Sequence, residues 1–117
     1  MERLFKAFLN SLHALGYLLT HEKAIIQEAV VFLVSLPIAF FITKEWGSFL
    51  LLTGSIIFVI IVEVLNTAIE AACNAVTHDY REEIKIAKDA GSLAVLLSII
   101  LTLCIWITVI IQTLFFV

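Results

Sequence analysis

The chain has 117 residues and a net charge of −3, with 62% of its residues apolar and 15% charged. An ordinary soluble domain has roughly 45–50% apolar and about 25% charged residues, so this composition points to a single integral-membrane domain and excludes the basic footprint of a nucleic-acid binder. No zinc-type cluster, Walker loop, dinucleotide fingerprint or nucleophile elbow occurs in it, and the two cysteines, Cys73 and Cys104, read as unpaired packing residues.

Residues 1–20 predict a helix. At 100° per residue, Arg3, Lys6, Asn10, His13 and Tyr17 fall within an arc of about 80°. Phe5, Phe8, Leu9, Leu12, Leu15 and Leu19 take the opposite side. A basic amphipathic helix of this kind lies in the plane of the membrane interface; the alternative is a soluble helix packed on a partner.

Three segments then reach the roughly 20 apolar residues that a spanning helix needs. They are residues 24–43, 48–76 and 87–117. A short turn, "KEWG", joins the first two, and the charged stretch "THDYREEIK" at 77–85 joins the second and third. Arg3, Lys6 and Lys23 flank the start of the first span, and Arg81, Lys85 and Lys88 fall between the last two, against Lys44 alone on the other side. By the positive-inside rule the N-terminus and the 77–88 region face the cytoplasm.

The second span carries the chemistry. Its apolar run ends in "VEVLNTAIEAACNAV", residues 62–76. Glu63, Asn66, Thr67, Glu70 and Asn74 all point one way, within roughly 100° of arc, while Ala68, Ala72 and Ala75 make a small-residue face on the far side. A charge inside a span costs at least about 2.5–3.5 kcal/mol, so two on one stripe need a partner, a cavity or a cation. An inter-helix hydrogen-bonded network and a functional polar site both satisfy that need. Lys85, Lys88, Asp89 and Ser92 share one face at the start of the third span, where Lys88 can neutralise the carboxylates or hold a phosphate. Glu22 and Glu28 lie on the same side, at the mouth of the first span. One interfacial cavity holding Glu22, Glu63, Glu70, Asn66, Lys88 and Asp89 would suit Mg²⁺ bound to phosphates, which takes only one or two carboxylates per ion. A carboxylate set deeper in the apolar zone is the better proton acceptor for an alcohol, because desolvation disfavours its charged form. The combination suggests phosphoryl transfer to a lipid hydroxyl; an ion-coupled transporter would place its acids nearer the midplane.

At these residues the sequence resembles the prokaryotic diacylglycerol kinases, small integral-membrane lipid kinases. The first motif of that family reads E-x-L-N-[ST]-A-[IV]-E-x-x-x-D, and here it is "EVLNTAIEAACN"; the second, A-K-D-x-G-S-x-A-V, is "AKDAGSLAV" at 87–95. "HEKAIIQE" at 21–28 matches the approach to the first span, and the likeness covers nearly the whole chain. It implies an all-α homotrimeric bundle in the bacterial cytoplasmic membrane, with three spans and a surface helix per chain. The active sites would be shared between subunits and face the cytoplasm. Glu63 would be the general base on the diacylglycerol hydroxyl, and Glu22 and Glu70 would hold Mg²⁺ on ATP. Arg3, Asn10, Glu22, Asn66, Glu70, Asp79, Tyr80, Arg81, Lys88 and Asp89 would bind the nucleotide, and Glu28, Glu63, Ser92 and Trp106 the lipid. The motif departs at Asn74, where the family has Asp: an amide keeps a hydrogen bond and loses the charge. Undecaprenol is the alternative lipid substrate within the same family.

Overall fold

Four helices make up nearly all of the computed structural model, which describes residues 1–116: α1 (Glu2–His21), α2 (Lys23–Ile42), α3 (Trp46–Val76) and α4 (Glu82–Phe115). α2, α3 and α4 are each long and apolar enough to cross a membrane. The segments read from the sequence match them closely, apart from their ends and Val117, which lies outside the described residues. The third begins earlier than the onset of apolarity suggests: α4 takes in Glu82–Lys85, leaving only Thr77–Arg81 as connection. Glu82 and Glu83 stand in its first turn, where negative charge is favourable to the unsatisfied amides of a helix start. Similarly, α3 already begins at Trp46, within the expected turn.

The breaks between helices are short. A single residue, Glu22, leaves the helical conformation between α1 and α2, with φ −107° and ψ 107°. Thr43–Glu45 turn the chain from α2 into α3, and the Thr43 hydroxyl accepts the Glu45 amide at 3.1 Å. Thr77 plays the same part after α3, accepting the Asp79 amide at 3.0 Å. Pro37 stays inside α2 on its exposed side, a position that spanning helices tolerate.

α3 is the central element and packs against both α2 and α4, while α1 leans on α2 and buries none of its residues. The buried core is small: Ala39, Leu52 and Val109, with Ile42, Phe49, Ile105 and Trp106 against them. Around it the surface is overwhelmingly apolar, as a lipid-facing protein requires and a water-soluble monomer does not tolerate. The α3–α4 contact is fastened by side chains that donate to backbone carbonyls. Trp106 Nε1 donates to Leu52 O at 3.0 Å, and Thr102 Oγ1 to Ser55 O at 3.1 Å. Ser35, Ser55 and Ser98 are buried and turn their hydroxyls onto their own helices, which lets neighbouring backbones come close.

Trp106→Phe removes the indole donor and lowers the unfolding free energy by about 1 kcal/mol. Leu52→Ala empties the largest fully buried side-chain position and costs about 2 kcal/mol or more. Denaturation in mixed detergent micelles measures both, and a larger loss from Trp106→Phe than from Leu52→Ala would contradict this ranking.

The helix lengths have a geometric result. α2, at 20 residues, is about 30 Å long, the thickness of a hydrocarbon core. α3 starts beside the end of α2, runs back along it for 31 residues and outlasts it by eleven. Its overhang begins near Asn66, so Glu63 is level with the start of α2 and Glu70 and Asn74 lie beyond it.

Candidate active site

The polar stripe of α3 meets two different neighbours. Glu63, half-buried, lies within electrostatic range of Glu70 and of Glu22, the residue at the α1–α2 corner. Glu28, one turn and a half into α2, interacts with Glu63 in turn. The corner at Glu22 and the short α2–α3 turn therefore bring carboxylates from both helices to one end of the molecule. Among the described residues none of these four acids has a Lys or Arg partner; the ion pairs are Lys6–Glu2 at 3.5 Å and Lys85–Asp89 at 2.6 Å. Unpaired acids crowded at a membrane boundary call for a cation or a proton.

Asn66 is the buried member of the stripe. Its Nδ2 faces Glu70 Oε1 at 3.5 Å, and its Oδ1 is buried without a hydrogen-bond partner. Glu70 itself is exposed.

Lys88 does not reach the α3 carboxylates. It extends from α4 to the last turns of α3 and donates to Asn74 Oδ1 at 2.9 Å. Asn74, the position where the motif departs from Asp, thus keeps the hydrogen bond that ties the two helices. Because the amide is neutral, it leaves the lysine charge uncompensated. Asp89 is held by Lys85 on its own helix. Lys85, Lys88 and Asp89 join Asp79, Tyr80, Arg81, Ile84 and His78 around a cleft of about 340 Å³. His78 and Lys85 line this cleft beside the nucleotide ligands expected from the sequence, and their places next to Asp79 and on the Lys88 face of α4 are the signals that point to them.

The remaining sequence-predicted residues fall elsewhere. Arg3 and Asn10 line a separate cleft on α1 with Glu2, Lys6 and Ala7. Ser92 is exposed on α4. Glu28 and Trp106 mark two ends of an apolar groove where α2 and α4 diverge across α3. Val30, Val31, Val34, Ser35 and Ile38 form its α2 wall, Ile56 its floor, and Thr102, Leu103 and Trp106 its α4 wall, around about 400 Å³. A continuation of about 160 Å³, sharing Val31, Ile56, Thr102 and Leu103, leads to Glu28, whose Oε1 is buried and unpartnered. The groove is therefore oily along its length and acidic at one end. One chain thus divides the expected single cavity into an acidic cluster, a polar loop cleft and an apolar groove.

The donor set fits Mg²⁺. It consists of the Glu22 and Glu70 carboxylate oxygens, which are hard ligands and have no Lys or Arg partner among the described residues. No group of three His, Cys, Asp or Glu that could by itself hold a metal occurs among the described residues.

Comparison with known proteins bears on the same residues. A family model described as prokaryotic diacylglycerol kinase matches residues 9–110, which include both motifs and every acid of the cluster. The chain belongs to the prokaryotic diacylglycerol kinase family. It is 38% identical over 104 residues to the diacylglycerol kinase of Escherichia coli K12, covering 89% of this chain and 85% of that one. To the diacylglycerol kinase of Helicobacter pylori it is 32% identical over 108 residues, with 90% and 82% covered. To that of Haemophilus influenzae it is 26% identical over 96 residues, with 82% and 81% covered.

Proposed function

We propose that this chain transfers the γ-phosphoryl group of ATP to the hydroxyl of diacylglycerol, giving phosphatidic acid and ADP. The observation that carries this reading is that an apolar groove between α2 and α4 ends at an acid of the cluster, Glu28, which interacts with Glu63. Membership of the family, and relatives named diacylglycerol kinase, give the same reaction class.

Glu63 takes the proton of the lipid hydroxyl as that oxygen bonds to the γ-phosphorus and the bond to the ADP oxygen breaks. Its half-buried position, level with the start of α2, suits a glycerol hydroxyl whose acyl chains remain in the membrane. Glu22 and Glu70 would hold Mg²⁺, which when bound would neutralise the repulsion between carboxylates and phosphates. Lys88, tethered by Asn74, offers its charge to the phosphates, and Asp79, Tyr80, Arg81 and Asp89 surround the rest of the nucleotide, with Asn66 between nucleotide and acids. Glu28, Ser92 and Trp106 face the lipid.

The active assembly is a homotrimer in the bacterial inner membrane, its sites on the cytoplasmic side and completed between chains. Two features support the assembly: Ala68, Ala72 and Ala75 are exposed on α3, and Arg3 and Asn10 lie on α1 away from the loop cleft they would complete. α1 lies in the interface plane, with its Phe and Leu side chains toward the lipid.

The test is a direct comparison of lipid acceptors. Purified chain in mixed micelles with MgATP is expected to phosphorylate a short-chain diacylglycerol at least about tenfold faster than undecaprenol, the discrimination of about 1.4 kcal/mol in transition-state binding. Preference for undecaprenol would transfer the assignment to the other lipid, and absence of ADP release with either would remove kinase activity altogether.

A further inference from the structure

Gly91 lies in α4 where that helix passes the polar stripe of α3, and it is buried. A β-carbon built on it would collide with Asn66 Oδ1 and stand 3.2 Å from Asn66 Cγ. The three other glycines are different: Gly16 and Gly54 have open space at that position, and Gly47 meets only a flexible Glu45 oxygen at 3.4 Å. Gly91 is thus the one glycine whose missing side chain is occupied by a polar group of the candidate site.

Asn66 is held on two sides. Its oxygen is pressed into the notch at Gly91, where the glycine α-hydrogens are weak donors and no stronger donor reaches it. Its NH₂ edge then faces outward, toward Glu70 Oε1 at 3.5 Å. At 8% exposure Asn66 has little room to turn otherwise, and the preceding helical turn excludes one of its three χ1 wells. A methyl group at position 91 forces the amide out of the notch and breaks its alignment with Glu70.

We propose that Gly91 is a positioning residue for phosphoryl transfer: the notch it leaves in α4 seats the Asn66 amide so that its NH₂ edge orients the Glu70 carboxylate. The proposal rests on the assignment of Glu70 to the metal–nucleotide complex made above.

The experiment is a double-variant cycle on the full chain in detergent micelles, comparing the parent, Gly91→Ala, Asn66→Ala and the combination. Two quantities are read: the melting temperature, and the Mg²⁺ concentration that gives half-maximal equilibrium binding of ATP. Gly91→Ala and Asn66→Ala are each expected to raise the Mg²⁺ midpoint about fivefold or more, the combination staying within about twofold of Asn66→Ala alone because Gly91 acts through Asn66. A purely structural glycine would lower the melting temperature and leave the Mg²⁺ midpoint in place. An unmoved midpoint in Gly91→Ala, or a full additional shift on top of Asn66→Ala, overturns the proposal. If Gly91→Ala alone does not survive solubilisation, Asn66→Ala in the same chain must restore folding by clearing the notch, and a combination that stays unfolded overturns it equally. Glu70→Gln separates this proposal from the reading beneath it. An unchanged Mg²⁺ midpoint there removes Glu70 from the metal, while non-additivity between positions 91 and 66 still upholds the seating of Asn66 by Gly91.

Discussion

Glu63→Gln is expected to lower the turnover number by about two to four orders of magnitude, the contribution of a positioned general base. Glutamine keeps the shape and a hydrogen-bonding oxygen, so the groove and the α3–α4 contact remain; what it loses is the ability to take the hydroxyl proton. ATP binding should persist, because Glu63 is not among the nucleotide ligands assigned above. The variant should also be at least as heat-stable as the parent. Glu63 lies among Glu22, Glu28 and Glu70, and removing one charge from that crowd relieves repulsion. Loss of activity with undiminished stability would separate a catalytic role from a scaffolding one. The measurement is diacylglycerol-dependent ADP release beside equilibrium ATP binding. Turnover within a factor of ten of the parent would place the base elsewhere, and loss of ATP binding would move Glu63 into the nucleotide site.

Glu70→Gln should have an effect of comparable size by a different route. Carboxylate and triphosphate repel unless a divalent ion lies between them, and an amide oxygen is a poorer ligand for that ion. The Asn66 contact survives, since the glutamine side-chain oxygen also accepts from Nδ2. The expected result is a Mg²⁺ requirement raised at least about tenfold, or activity lost entirely, with helix content unchanged by circular dichroism. A Mg²⁺ titration that superimposes on the parent would take Glu70 out of the metal site.

Much of the architecture is legible in the linear sequence for one physical reason: in a bilayer every backbone amide must be satisfied within its own helix, so a long apolar run admits few outcomes. The polar stripe is legible too, since Glu63, Asn66, Thr67, Glu70 and Asn74 share a face by spacing alone. The relation between helices is not. Lys88 is on the expected face of α4, yet it meets Asn74 and not an acid, because its partner is fixed by the axial register of α4 against α3, which no single helix encodes. Gly91 was visible only as one letter of a motif; its significance comes from the side chain opposite. The start of α4 at Glu82 was hidden for a simpler reason, since charged residues are good helix formers and a search by apolarity passes over them.

The unequal lengths of α2 and α3 make the host bilayer part of the machinery. α2 matches a hydrocarbon layer of ordinary thickness, and that match decides where along α3 oil gives way to water, between Glu63 and Glu70. Lengthening the lipid tails would draw the boundary, and the glycerol hydroxyl with it, along α3 toward Glu70 and Asn74, leaving Glu63 behind in the oil. Shortening them would flood Glu63. Adjusting to such a mismatch costs only fractions of a kcal/mol per Å, so the fold survives either change. The reaction geometry is less forgiving, since displacements of about 1 Å weigh heavily on rate. A cell that remodels its fatty acids with temperature would thereby retune this protein without touching its gene or its amount.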